Sequence, residues 1–230
     1  MADVFRNLDL SGLIGTVLMR VIPALICITF HELSHGFVAY RLGDRTAKDM
    51  GRLTLNPIKH IDPFGLLMML FAGFGWAKPV PVNMWNFKHP KRGMAVTALA
   101  GPVSNLVLAS FFLAIGGVLY TVLQKSGIDN IILSMVIQTA YLNIAFAIFN
   151  IIPIPPLDGS KVLFSLLPNQ AYYKLMRYER YGMGLLLIIV FAGRFGILNI
   201  NITQPLVSVT QSVFNFFANN IFNPIYNLVN

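Results

Sequence analysis

The sequence predicts an all-α polytopic membrane protein, a bundle of about four to five transmembrane helices with one re-entrant or extended segment. Three observations carry that prediction. Of the 230 residues, 56% are hydrophobic and only 11% are charged, against about 25% charged in an ordinary soluble domain. The mean hydropathy is +0.66, and no Asp, Glu, Lys or Arg occurs from Phe195 to Asn230. The basic residues gather between apolar runs, at Arg41 to Lys59, Lys78 to Arg92 and Lys161 to Arg180. A disordered chain would need the opposite balance of charge and apolar content. A single cysteine, Cys27, excludes a disulfide-stapled secreted domain. The net charge of +8 reads as topology, because basic loops beside apolar spans mark the cytoplasmic side. No aromatic-interleaved basic face is present for nucleic acid. The expected surroundings are a lipid bilayer.

The first element is a helix over Leu13 to Tyr40, interrupted by Arg20 and by His31, Glu32 and His35. What precedes it lacks the charged start and small-residue cleavage site of a signal peptide. The helix is therefore expected to be retained, with Arg20 near its outer end. The next apolar stretch, Pro63 to Ala77, has 15 residues, short of the roughly 20 that a helical span needs. Gly65, Gly73 and Gly75 weaken it as a helix, and Lys78-Pro79-Val80-Pro81-Val82 reads as extended, because proline disfavours helix in the residue before it. If this stretch crossed, the basic loops on its two sides would face opposite compartments. A re-entrant or interfacial segment keeps both on one side.

Met94 to Tyr120 and Ile131 to Ile152 are each long enough to span, joined by an outside turn over Gln124 to Ile131. Gly182 to Phe191 with its flanks makes a further span, with Arg194 near its outer end. The tail from Pro205 is apolar but rich in Asn, Gln, Ser and Thr. Its Phe214, Phe217 and Ile221 recur at helical spacing, so it is expected on the membrane interface or against the bundle. This makes four firm spans with the N-terminus outside. With no internal repeat and no long linker, the simplest organisation is one membrane-embedded domain over residues 1–230, with its core at 13–166 and a C-terminal span and tail at 181–230.

An ionisable group inside a span is costly unless it has partners. His31-Glu32-Leu33-Ser34-His35 fits the pattern H-E-x-x-H. On a helix, positions i and i+4 share a face, so the two imidazoles can converge on one metal ion. Glu32, projecting beside them, can take a proton from an activated water without being a ligand itself. The alternative is three polar groups satisfied by hydrogen bonds in a bundle interior. It must account for three ionisable residues within one otherwise uncharged turn.

Two histidines leave a catalytic zinc one protein ligand short. Cys27 lies one turn before His31, but it is eight positions from His35, about 12 Å along the axis. Ligands must all lie near 2 Å from the ion, so Cys27 is expected to be a small buried hydrophobe. His60 and His89 fall in basic loops expected to face solvent. Asp44, Asp49, Asp62, Asp129 and Glu179 fall in loops or at their edges. Asp158 stands apart, after Asn150-Ile151-Ile152-Pro153-Ile154-Pro155-Pro156-Leu157 and before Gly159. Broken backbone at membrane depth is tolerated only against protein or a water-filled cavity. Asp158 is either the third ligand or a turn aspartate capping the helix from Lys161 onward.

The stretches HELSHGFVAYRLGD, GWAKPVPVN, AGPVSN and NIIPIPPLDG together resemble the site-2 protease family of intramembrane zinc metalloproteases. The resemblance is closest to compact members without PDZ or CBS domains and covers about Phe30 to Leu166. It implies one zinc ion per chain held by His31, His35 and Asp158, with Glu32 as the general base. It further implies that Asn150 holds the substrate backbone beside the metal and that Asn105 helps to polarise the scissile carbonyl. Apart from the resemblance, both asparagines also suit interhelical hydrogen bonding. The re-entrant stretch would pair with an unwound substrate as an added strand. Two positions depart from the family pattern. Gly159-Ser160-Lys161 stands where many relatives have a second glycine and often a histidine, and Ser34 stands where many have glycine.

The expected activity is hydrolysis of peptide bonds within or near transmembrane segments of membrane proteins, as in regulated intramembrane proteolysis. The expected location is a bacterial inner membrane, with the active site near the cytoplasmic side. Two other functions use the same residues, a zinc carrier or sensor and an inactive relative that binds membrane proteins without cutting them. A carrier would need metal-binding groups strung along a path, whereas here they gather at one depth.

Overall fold

A computed structural model describes residue 15 and residues 17–72, 75–124, 131–194 and 203–229. A π-turn at Val17–Val21 leads into α1 (Ile22–Arg41), with Pro23 in its first turn, where no backbone donor is needed. A short α2 (Thr46–Asp49), a 3-10 turn at Pro57–Lys59 and α3 (Pro63–Ala72) follow. The chain is then irregular and extended until a 3-10 turn at Met84–Asn86. After it come α4 (Pro90–Gln124), α5 (Ile131–Ile151), α6 (Asp158–Ser165) and α7 (Asn169–Arg194). The C-terminal helix runs as α8 (Thr203–Phe217), a π-turn at Ala218–Phe222 and α9 (Asn223–Val229).

Among the described residues, three helices are long and apolar enough to cross a membrane, Met19–Arg41, Pro90–Leu123 and Ile131–Ile151. The 35 residues of α4 extend about 52 Å at 1.5 Å each, beyond the roughly 30 Å of a hydrocarbon layer. Its first turn, with Lys91 and Arg92, can therefore stand in the polar zone. The fourth expected span, Gly182 to Phe191 with its flanks, falls in the second half of α7. Its apolar run Tyr181–Gly193 is not among the helices long and apolar enough to cross, since a helical span needs about 20 apolar residues. The first half of α7 carries Lys174, Arg177, Glu179 and Arg180, which keeps that half out of hydrocarbon.

α4 is the central helix, in contact with α1, α5, α6 and α9. Where it meets its neighbours the side chains are small. Ala98 and Ala109 on α4 and Ala140 and Ala147 on α5 are at most 3% exposed, and such residues let helices approach closely without a large side chain between them. On the outer face of α4, Val103, Val107 and Phe111 are more than half exposed, as suits a lipid-facing stripe. α8 lies along α5 and α9 along α4, with the Phe214 ring 5.5 Å from that of Tyr141. The tail thus sits against the bundle. The expected turn over Gln124 to Ile131 lies mostly outside the described residues, as do residues 195–202 and the start of the first expected helix.

The expected re-entrant stretch does return to its starting level. Ile61 pairs antiparallel with Ala77, and the Lys78 N–H donates to the His60 carbonyl at 2.9 Å. Ten residues of α3 reach only about 15 Å, half of a hydrocarbon layer.

Asp44 anchors the far end of this segment to the end of α1. Its carboxylate is fully buried at 0% exposure. It accepts hydrogen bonds from the Thr46 N–H and hydroxyl at 3.1 and 2.5 Å, the Asn83 N–H at 2.7 Å and Asn86 Nδ2 at 2.7 Å. Burial pushes the carboxyl up, but these donors outweigh it and hold it below the ordinary carboxylate range. With a depressed native pKa, the stabilisation is present above the unfolded value of about 3.9 and is lost as pH falls through the native value. Asp44→Asn is expected to cost at least about 1.5 kcal/mol at pH 7 and to flatten the acid limb of stability below about pH 4. Unfolding in detergent across that pH range measures both effects. A variant with an unchanged acid limb would remove Asp44 from it.

Candidate metal centre and active site

α1 turns His31, Glu32 and His35 inward, at 3%, 8% and 8% exposure. The hydrogen bonds behind the imidazoles determine which nitrogen faces the centre. The Thr139 carbonyl can only accept, so Asn143 Nδ2 donates to it at 2.8 Å. Asn143 Oδ1 then accepts from Asn105 Nδ2 at 2.7 Å, which also faces the Cys27 carbonyl at 3.2 Å. Asn105 Oδ1 is thereby left to accept from His31 Nδ1–H at 2.6 Å. His35 Nδ1 donates to the Thr97 carbonyl at 2.7 Å. Both Nε2 atoms therefore present lone pairs to the interior, as an imidazole ligand must.

The two Nε2 atoms lie 2.9 Å apart, and Asp158 Oδ2 lies 3.1 and 3.0 Å from them. Three acceptors in mutual contact repel unless a cation sits among them. Ligand atoms about 2.0–2.1 Å from a tetrahedral zinc stand roughly 3.3 Å from one another, within a few tenths of an ångström of the separations here. Two nitrogens and a carboxylate oxygen also suit the chemistry of zinc. The donor set thus fits the ion, and it is the sole such cluster among the described residues.

Asp158 opens α6, after an extended Leu157 and a loop whose Pro155–Pro156 bond is cis. The N-terminus of α6 has no side-chain cap. The carboxylate is turned to the imidazoles, so the capping alternative does not describe it. Its other oxygen, Oδ1, lies 3.5 Å from Lys161 Nζ, which reaches Glu179 Oε1 on α7 at 3.3 Å. Sequence reasoning missed this pair. The spacing of Lys161 from Asp158 was a usable signal, whereas Glu179 comes from another helix and not from a loop edge. His60, expected to face solvent, has 0% exposure, because the returning segment covers it and its Nε2 bonds to the Thr54 carbonyl at 2.9 Å.

In front of the cluster is a cavity of about 700 Å³, lined by His31, Glu32, His35, Asp158, Asn150, Lys161 and Glu179, with apolar walls from Phe146 and Phe149 on α5 and Met183 and Leu187 on α7. Asn150 lies on the cavity wall, with Nδ2 bonded to the Phe146 carbonyl at 3.0 Å. Asn105 does not face the cavity. It has 0% exposure and is enclosed between His31, Cys27 and Asn143, so its place is behind His31 and not beside a scissile carbonyl. Cys27 Sγ lies 3.2 Å from Asn105 Nδ2.

The family model for Peptidase family M50 matches residues 19–193. A protein of Bacillus subtilis (strain 168) named "Putative zinc metalloprotease YwhC" is 45% identical over 74% of this chain and 78% of its own length. The "Putative zinc metalloprotease Rip2" of Mycobacterium tuberculosis (strain ATCC 25618 / H37Rv) is 30% identical over 77% of this chain and 68% of its own length. The "Zinc metalloprotease MJ0392" of Methanocaldococcus jannaschii is 30% identical over 80% of this chain and 44% of its own length. No solved structure matches the chain significantly.

Proposed function

The chain belongs to peptidase family M50, the site-2 protease family, and is a zinc metalloprotease, and we propose that it cuts peptide bonds within or next to the transmembrane segments of other membrane proteins. One observation carries this reading. The cluster of His31, His35 and Asp158 sits with Glu32 in a cavity walled by the apolar faces of membrane helices, a place suited to an apolar substrate segment. His31, His35 and Asp158 would hold one zinc ion per chain, which would supply polarisation of the scissile carbonyl and a water made nucleophilic near neutral pH.

The chain's own residues do the rest. Asn105 and the Thr97 carbonyl keep both imidazoles in the binding tautomer. Glu32 accepts the proton of the attacking water and delivers it to the leaving amine nitrogen. Asn150, with one amide hydrogen on the Phe146 carbonyl, keeps its oxygen and second hydrogen for the substrate backbone. A peptide bond inside a helix is shielded, so the substrate must unwind locally, and an added-strand contact with residues 75–82 stabilises that form. The basic loops flank the site residues in sequence, which supports a cytoplasmic-side active site in a bacterial inner membrane. A carrier would need further clusters along a path, and among the described residues there is one.

Glu32→Gln tests the reading. The variant is expected to keep its zinc while cleavage of a membrane-embedded reporter falls by at least about 10²–10⁴-fold. Cleavage at the wild-type rate would remove Glu32 as the base and the mechanism with it.

A further inference from the structure

Val80 stands between two prolines in Lys78-Pro79-Val80-Pro81. Proline has no N–H, so over residues 79–81 Val80 carries the sole backbone donor. That donor goes to Glu32 Oε2 at 2.7 Å, where Val80 is 7% and Glu32 8% exposed. A one-residue slip of the segment in either direction would bring a proline nitrogen against the carboxylate and leave it unbonded. The register is therefore tied to this contact.

The segment that carries the donor is held independently of Glu32. The Lys78 N–H is bonded to the His60 carbonyl at 2.9 Å, the Lys78 carbonyl to Arg52 Nη2 at 2.8 Å, and the Asn83 N–H to Asp44 Oδ2 at 2.7 Å. Helix α1 is shaped to receive it. A Cβ on Gly36, one turn beyond Glu32, would stand 3.0 Å from Val80 Cγ1 and 2.7 Å from Leu53 Cδ2, so glycine there admits the strand to the helix surface. A free glutamate side chain has three rotatable bonds, whereas a charge-assisted hydrogen bond from a fixed amide restricts it.

We propose that the Val80 backbone amide is the positioning group for Glu32, holding Oε2 so that Oε1 is turned to the reacting water. Val80 is a positioning residue and does not itself touch the reacting atoms. The proposal rests on the reading of Glu32 as the general base.

The test combines two measurements on the whole 230-residue chain in detergent. Val80→Pro removes the N–H and leaves an extended Pro-Pro-Pro run, while Val80→Ile keeps the N–H. Val80→Pro is expected to keep its zinc and to lose about 10–100-fold in kcat with KM within about twofold, and Val80→Ile to lose at most about threefold. Equal losses in both variants, or a loss confined to KM, would overturn the proposal. The second measurement needs no activity. In protein labelled with ¹⁵N-valine, the Val80 amide is expected to exchange with solvent at least about tenfold faster in Glu32→Ala than in the wild type. Equal exchange rates would overturn the proposal even if Val80→Pro failed to fold. A Val80 amide protected by Glu32 in a wild-type protein that cleaves nothing would support the hold on Glu32 and overturn the proteolytic reading alone.

Discussion

Asp158→Ala is expected to take the protein from one zinc per chain to almost none, and cleavage with it. Asp158 Oδ2 lies 3.1 and 3.0 Å from the two imidazole nitrogens, and no other carboxylate or thiol among the described residues joins that cluster. Two histidines at i and i+4 make a weak site by themselves, because a catalytic zinc takes three protein ligands. The loss should therefore exceed the roughly 10–100-fold that removal of an outer-shell partner costs. Asp158→Asn gives the sharper comparison. It keeps the shape and the loop but replaces an anionic ligand with a neutral amide. Zinc counted by mass spectrometry on purified wild type and both variants reads the result directly, and dialysis of the wild type against a chelator is expected to abolish the difference, which added zinc restores. Wild-type zinc content in Asp158→Ala would show that the third ligand is another group. Lys161 adds a control, since its Nζ bonds the outer oxygen Oδ1 at 3.5 Å and its loss should weaken binding far less than the loss of Asp158 itself.

Gly101→Ala, a change of one methyl group, is expected to damage the same centre from the opposite wall. A Cβ at position 101 would stand 2.5 Å from His31 Cε1, 2.5 Å from His35 Nε2 and 2.6 Å from His35 Cε1. Those atoms belong to rigid rings already pinned through their Nδ1 atoms to Asn105 and the Thr97 carbonyl. The rings cannot yield without breaking those bonds, and α1 and α4 cannot separate without opening the core. Overpacking of this kind costs about 1–3 kcal/mol. The displacement falls on the ligand atoms, so zinc content should drop more steeply than thermal stability. Gly116→Ala on the same helix has as its nearest neighbours the end of the Ile137 side chain at 2.9 Å and the Phe222 ring at 3.4 Å, and should keep its zinc. Full zinc content in Gly101→Ala would mean that the helices part more easily than the packed alanines of α4 and α5 suggest.

Much of this architecture was legible along the chain, for reasons tied to particular residues. A hydrocarbon layer imposes long uncharged runs, so the spans around Met19–Arg41, Pro90–Leu123 and Ile131–Ile151 follow from composition alone. Helical periodicity puts His31 and His35 on one face, and the shortness of Pro63 to Ala77 with basic loops on both sides foretold a segment that turns back. Where local surroundings mislead, the cause is shared. A loop edge for Glu179 and a basic loop for His60 describe only their chain neighbours, whereas Lys161 holds Glu179 and the returning segment covers His60. For Asn105 the contacts with His31 and Asn143 are the interhelical hydrogen bonding that its residue type also suits.

By itself, then, the sequence determined the membrane class, the order of spans and two of the three converging ligand atoms, because those depend on runs and spacings within a few helical turns. The tertiary structure decided the rest. Asp158 reaches His31 across 127 positions, and Asn105 reaches it across 74. Val80 reaches Glu32 across 48. Spacing constrains a side chain only to the turns beside it. Which groups meet in the interior is set by how α1, α4, α5 and α6 pack and by where the returning segment lies, and that requires long-range contacts no local pattern encodes.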